Sequence, residues 1–233
     1  MLPSQPVIVS NVFDKNSYAD FQGKFMIELA NMLMQCKEFA ELSLNDKLLL
    51  YQHTKAIFSN IERQYSSIQY FGDSMEDYRV LHDDTRAFDY GLETVETNDT
   101  DNEKFVKALP LFIKIRDKFI SLITKPMKAL KITQFEMVYI LFQILWTVES
   151  NSELSMEAIK VAEKVSDKIA DEIHTYYKCE LRVHNYAPRL LKLHQLIDGS
   201  KAVESTKAET FIISQVYNIY DFQVSPEHFG VIH

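Results

Sequence analysis

Asp83 and Asp84 stand side by side in VLHDDTRAFDY, and an acidic pair of this kind binds a metal when a further carboxylate follows at a fixed step. Three residues after Asp84 the chain has Ala87, so the pair reads as part of a solvated loop. The 7 histidines are scattered. His184 and His194 flank a helix start and do not share a face at ligand spacing, which makes them surface or hydrogen-bonded side chains. Cys36 and Cys179 are the only 2 cysteines. Neither has a partner at metal-ligand spacing, and Cys179 beside Glu180 has no activating base, so inert thiols in a reducing compartment are expected. Gly-x-Ser-x-Gly, a Gly-rich phosphate loop and His-Glu-x-x-His are all absent. The chain reads as a binding protein and not as an enzyme.

The elements around these residues are helical. In 233 residues, 46% apolar, there are only 5 Gly and 6 Pro, too little turn chemistry for a many-stranded sheet. A net charge of −8 argues against a phosphate-binding face, so no direct contact with nucleic acid is expected. The opening MLPSQPVIVSNV lacks a basic region and is broken by Pro3 and Pro6, unlike a signal peptide. The longest apolar block, Met137 to Val148, is too short to span a bilayer, so no membrane is expected.

Helical periodicity recurs in blocks. From Tyr18 to Phe39 it sets Phe21, Phe25, Leu29, Met32 and Leu33 on one stripe. Ser43 with Asp46 has the form of a capping box, and so has Thr133 with Glu136. Between Ser66 and Asp101 the periodicity fails, which reads as loop with room for a short hairpin around Tyr70 to Val80. Helix resumes from about Asn102 to Thr124, with Pro110 beginning or kinking its regular part, and again from Ser155 through Tyr177 and from Tyr186 to Ile197. Asp46 to Ile61 and Phe135 to Val148 are apolar on nearly every face, whereas the other helices carry one stripe. Two such helices belong in the middle of three layers, with other helices above and below.

FAELSLNDKLLL is similar to the signature of nuclear hormone receptor ligand-binding domains, matching at Phe39, Leu42, Asp46, Leu49 and Leu50, with Lys47 in place of the usual Gln. LKITQFEMVYILFQILW resembles the junction of that family's seventh and eighth helices, and ADEIHTYYKCELRVHNYAPRLLKLHQLI its ninth-to-tenth region, most closely in divergent nematode receptors. The resemblance implies one domain over 1–233, an all-α, three-layer antiparallel helical sandwich. It also implies a nuclear receptor-type transcription factor that binds a small hydrophobic ligand and regulates transcription through partner proteins. The alternative is an orphan domain whose pocket is filled by side chains and which works only through protein contacts. The family's DNA-binding module needs zinc held by four cysteines at each of two sites, so zinc is expected only in an intact protein that carries that module.

Carried over by the resemblance, the ligand-facing positions are Tyr18, Phe21, Gln22 and Phe25, then Ser59, Arg63 and Ser66, then Ile115 and Phe119. For each apolar one the plain alternative is core packing. An inward Arg63 would need an anion, such as a fatty-acid-like carboxylate, because an unpaired buried guanidinium costs several kcal/mol. The alternative turns it outward toward Glu62, Asp73 or another loop acid. The implied dimer face is Leu190, Leu193 and Ile197, for a homodimer or a heterodimer with another receptor, with Glu136 and Arg189 pairing internally to orient that helix. The coregulator groove of the family is clamped by two opposite charges. Here the basic positions are Met34 and Gln52, Lys37 lies one turn from Met34, and Glu227 is the acidic candidate near the C-terminus. A coregulator is therefore expected by a non-standard groove, with Phe222, Phe229 and Ile232 sealing the core.

Overall fold

The computed structural model describes residues 2–91, 96–97, 102–147 and 153–218. Short strands β1 (Ile8–Ser10) and β2 (Val12–Phe13) precede α1 (Lys15–Leu33), whose N-cap Asp14 accepts hydrogen bonds from the amides of Asn16 and Ser17. Phe21, Phe25, Leu29 and Leu33 of the expected stripe are buried, but Met32 is exposed. Adjacent helical positions point about 100° apart, and Leu33 takes the inward one. The expected single helix to Phe39 breaks before α2 (Lys37–Ala40), which buries Phe39.

Ser43 caps α3 (Leu44–Phe71) by accepting from the Asp46 amide. This helix departs from the sequence reading. Its apolar opening is partly open to solvent, with Leu44 73% and Leu48 49% exposed, whereas Asn60, Glu62, Arg63, Gln64, Ser66 and Ser67 are buried. Polar side chains tolerate burial when hydrogen-bonded. Thr54 donates to the Leu50 carbonyl, Ser67 to the Arg63 carbonyl and Thr124 to Gln64. The helix continues past Ser66 to Gly72, whose φ of 93° ends it while its amide bonds the Ile68 carbonyl.

The hairpin lies later than expected. β3 (Arg79–Leu81) pairs antiparallel with β4 (Arg86–Asp89), Val80 opposite Phe88, and β1 adds in parallel on the other edge of β4, Val9 opposite Ala87. β5 (Glu96–Thr97) pairs in parallel with β2. The turn is made by Asp83, whose carboxylate accepts from the Thr85 and Arg86 amides and from the Thr85 and Ser17 hydroxyls. At 4% exposure Asp83 is not a solvated-loop residue; only Asp84 stays outside, 3.2 Å from Lys24. An Asx-type turn satisfies the carboxylate without water.

The rest is helical: α4 (Asn102–Phe119), which contains Pro110, a π-helical turn (Ile120–Thr124), α5 (Lys125–Leu130) and α6 (Gln134–Trp146), which opens with the Thr133–Glu136 capping box. Then come α7 (Met156–Thr175), capped by Ser155, a second π turn (Tyr176–Glu180) and α8 (Ala187–Val216). α1 packs on one side of α3, α6 lies beside α3, α7 packs along α6, and α8 lies against α3, α4, α5 and α6. The fold is an all-α, three-layer helical sandwich with α3 and α6 in the middle. No helix among the described residues is long and apolar enough to cross a membrane.

Candidate ligand cavity and interaction surfaces

Tyr18 and Gln22 lie one turn apart on α1 and face Ser59, Asn60 and Arg63 on α3, an i, i+1, i+4 set that the buried half of that helix turns inward. Ile115 and Phe119 of α4 and Lys207 of α8 approach from the far side, and the hairpin supplies Val80, Leu81, His82, Phe88 and Tyr90. The space they enclose is a cavity of about 90 Å³.

Of the nine positions carried over from the family, Tyr18, Gln22, Ser59, Arg63, Ile115 and Phe119 line this one cavity. The other three are turned to different tasks. Phe25 packs in the main core, Phe21 lies under the Arg63 guanidinium at 4.5 Å from its ring centroid, and Ser66 donates to Glu62 at 2.6 Å. The hairpin residues and Lys207 were not legible, because nothing local brings residues 80–90 or the last third of α8 toward α1. Proximity in sequence of His82 to Asp83 was the one available signal, since a turn-forming aspartate fixes its neighbours.

The walls mix apolar side chains, among them Val80, Leu81, Phe88, Ile115 and Phe119, with two cations, Arg63 and Lys207. Arg63 is turned inward and is 3.2 Å from Glu62; burial pulls its pKa down from the ordinary arginine value, and Glu62 opposes that. Lys207 donates to Asn60 and to Glu204, each at 2.7 Å. Burial pulls its ammonium down, but the Glu204 carboxylate beside it opposes burial, and its pKa is left raised. His82 stacks on Tyr18 with ring centroids 4.9 Å apart, and burial pushes its imidazole below its ordinary value, so it is neutral at pH 7. Tyr90 meets the Phe119 ring edge to face, and burial pushes its phenol up to about 12. These groups can bind and orient a polar head.

The remaining expected positions among the described residues lie outside the lining of this cavity. Met34 and Gln52 are exposed, the Lys37 side chain is exposed and lies 3.8 Å from Glu41, and Glu227 with the other C-terminal residues named above falls outside the described residues. Leu193 is fully buried, and Leu190 and Ile197 pack against the core, so this stripe holds α8 to the sandwich. The exposed leucine on that stretch is Leu191, at 61%. The reason is geometric: α8 crosses α3, α5 and α6 here, and those contacts claim the apolar stripe. Glu136 and Arg189 do pair. Glu136 is fully buried and takes bonds from Arg189, from the Tyr177 hydroxyl and from the Thr133 amide. Burial pushes its carboxyl up, and these donors outweigh burial and hold it below the usual range. His194 Nε2 is 3.1 Å from the Tyr139 hydroxyl, His184 is exposed, and Cys36 and Cys179 are free thiols. Among the described residues, no group of three or more His, Cys, Asp or Glu is placed to hold a metal ion.

The comparisons agree with this architecture. The model of the ligand-binding domain of nuclear hormone receptors matches residues 3–217. The chain is 23% identical to nuclear hormone receptor family member nhr-213 of Caenorhabditis elegans, over 87% of this chain and 49% of that protein. To family member nhr-54 of the same organism it is 26% identical, over 95% of this chain and 55% of that protein. It thus spans about half the length of the curated relatives it matches. A signature helix capped by Ser43, a buried Glu136–Arg189 pair and a three-layer sandwich around a small cavity are joined by a family match over nearly the whole chain, and the chain belongs to the nuclear hormone receptor ligand-binding domains.

Proposed function

We propose that this chain is the regulatory domain of a receptor-type transcription factor acting in the nucleus, and that its internal pocket is filled by its own side chains, so that it signals through protein contacts. The observation that carries this reading is the cavity volume. Pockets for lipid-sized molecules run to roughly 300–1,000 Å³, and this one holds about 90 Å³, room for a few waters. The rings of Tyr18, Phe88, Tyr90 and Phe119 and the imidazole of His82 converge on its walls, which supports this reading. Its partners are a second receptor domain and a coregulator protein.

A second reading is favoured by the two cations, Arg63 and Lys207, in the cavity wall. A small hydrophobic acid of fatty-acid type would set its carboxylate there, with the rings moved aside for the chain. Native mass spectrometry of the purified domain separates the two. The first reading expects the protein mass alone; a co-purified acid that disappears in Arg63→Met overturns it in favour of the second.

A further inference from the structure

A groove of about 570 Å³ runs along the outer side of α8, between that helix and the stretch made by the first π turn and α5. Leu122, Pro126 and Ala129 line it on one side, and Gln195, Gly199 and Ala202 of α8 on the other. Lys192 and Asp198 of α8 also face it. Along this stretch Leu191, Lys192, Gln195 and Asp198 are exposed. At 100° per residue these four, with Gly199 and Ala202, fall within an arc of about 120° centred on Gln195. The stripe of Leu190, Leu193 and Ile197 packs in the core and takes no part in this face.

The face is symmetric about Gln195. Lys192 stands three residues before it and Asp198 three after, Leu191 four before and Gly199 four after. Among the described residues Lys192, Gln195 and Asp198 make no hydrogen bond or ion pair, so neither charge is compensated within the chain. Two antiparallel copies of α8 related by a two-fold axis at Gln195 therefore set Lys192 of each against Asp198 of the other. The same axis sets Leu191, 61% exposed, over the groove of the other copy at Gly199. That glycine offers no side chain in the way, and Leu122 and Ala202 supply apolar surface beside it. A parallel copy would place Lys192 beside Lys192, so the charges match in one orientation and one register only. This complementarity of α8 with itself selects a second copy of the chain over an unrelated helix.

We propose that the face of α8 centred on Gln195 is an isologous interface between two copies of this chain, with two Lys192–Asp198 pairs across it and the two Gln195 amides bonding each other on the axis. The proposal rests on the reading that the domain works with a second receptor domain, and it makes that domain a copy of itself. The two fail separately. A co-purified acid overturns the filled pocket and leaves this interface as it is, whereas a chain that never dimerises overturns the interface and leaves the pocket.

The test is sedimentation of the full chain at low salt, where surface charges are least screened. Lys192→Glu alone and Asp198→Lys alone each set like charges against each other at both pairs, and each is expected to weaken the dimer about tenfold. Mixing the two variants in equal amounts brings opposite charges together again at both pairs, and the mixed dimer is expected to match the parent. Both positions are exposed, and thermal melts verify that each variant folds. A parent chain that stays monomeric at the highest concentration, a dimer indifferent to Lys192→Glu, or two weakened variants that mixing does not restore overturns the proposal.

Discussion

Asp46, in the first turn of α3, accepts two hydrogen bonds from Ser155, the N-cap of α7, 109 residues away: one from its amide and one from its hydroxyl, each at 2.9 Å. The same carboxylate takes the Ser43 hydroxyl at 2.6 Å. One buried anion thus satisfies the starts of two helices that share no stretch of sequence. The Ser155 amide first, and then the Ser43 hydroxyl, hold its carboxyl below the usual aspartate value. Asp46→Ala is expected to cost about 3 kcal/mol, through three lost bonds and a cap, seen as a lower urea midpoint. Because the folded-state pKa is depressed, this stabilisation is complete above the unfolded value and is lost as pH falls through the folded one.

His82 predicts a second pH effect at a different range. Burial lowers its pKa from 6.5, and it faces the Asp14 carbonyl at 3.5 Å, with Asp83 and Arg86 as the neighbouring charges and Tyr18 stacked above. Below about 6.5 the unfolded chain takes up a proton that the folded chain resists, so stability falls as pH drops from 7 toward 5. Urea titrations across that range should show a smaller loss in His82→Gln than in the parent.

Much of this fold is legible in sequence, and where legibility stops the cause is physical. Caps are local, so Ser43, Thr133 and Ser155 mark three helix starts from a few residues each. The signature around Asp46 is readable from residue type and spacing, and the Glu136–Arg189 pair from the resemblance to the family. Much of the second half of α3 is not readable: Asn60 and Gln64 look like surface residues, and partners from distant elements, Ser200, Glu204, Lys207 and Thr124, make their burial tolerable, while Glu62 takes its bonds from Arg63 and Ser66 of the same helix. The cavity was half legible for the same reason. Its α1, α3 and α4 walls follow from the resemblance to the family, whereas His82, Tyr90 and Lys207 arrive through a turn and a long helix whose paths are set by packing.

Gly199 marks the closest approach of α8 to the first π turn. A Cβ added there would lie 2.8 Å from the Leu122 carbonyl oxygen and 3.1 Å from the Leu122 Cβ. The oxygen belongs to backbone and cannot swing aside, so Gly199→Ala is expected to cost about 2 kcal/mol, a fall in Tm of roughly 5 °C for a chain of this size. Gly23→Ala on α1 is the control. A Cβ there meets nothing within 4 Å, and helix propensity should leave that variant as stable as the parent or up to about 1 kcal/mol more so.

On α8, burial separates a core residue from a surface residue two positions apart. Leu193→Ala should cost about 3 kcal/mol, since the side chain is fully buried. Leu191→Glu, at an exposed position, should leave Tm unchanged and convert a dimer to monomer in sedimentation, provided α8 is the dimer face. A dimer that survives Leu191→Glu places the contact on another surface.

The last prediction concerns the signature face itself. In the family, a Leu-x-x-Leu-Leu helix is held by a lysine that caps its carbonyl end and a glutamate that caps its amide end. Here the two basic positions carry Met34 and Gln52, both exposed and uncharged, amid exposed Leu44 and Leu48. An apolar face remains, but nothing at those positions compensates the four carbonyls at a docked helix's end. Loss of a charge-assisted cap is worth about 1–2 kcal/mol, or roughly tenfold in affinity. Leu-x-x-Leu-Leu peptides should therefore bind weakly or not at all in anisotropy titrations, and Met34→Lys should strengthen them. Tight binding by the parent chain, lost on Lys37→Ala, would show instead that Lys37 has taken over the cap from one turn away.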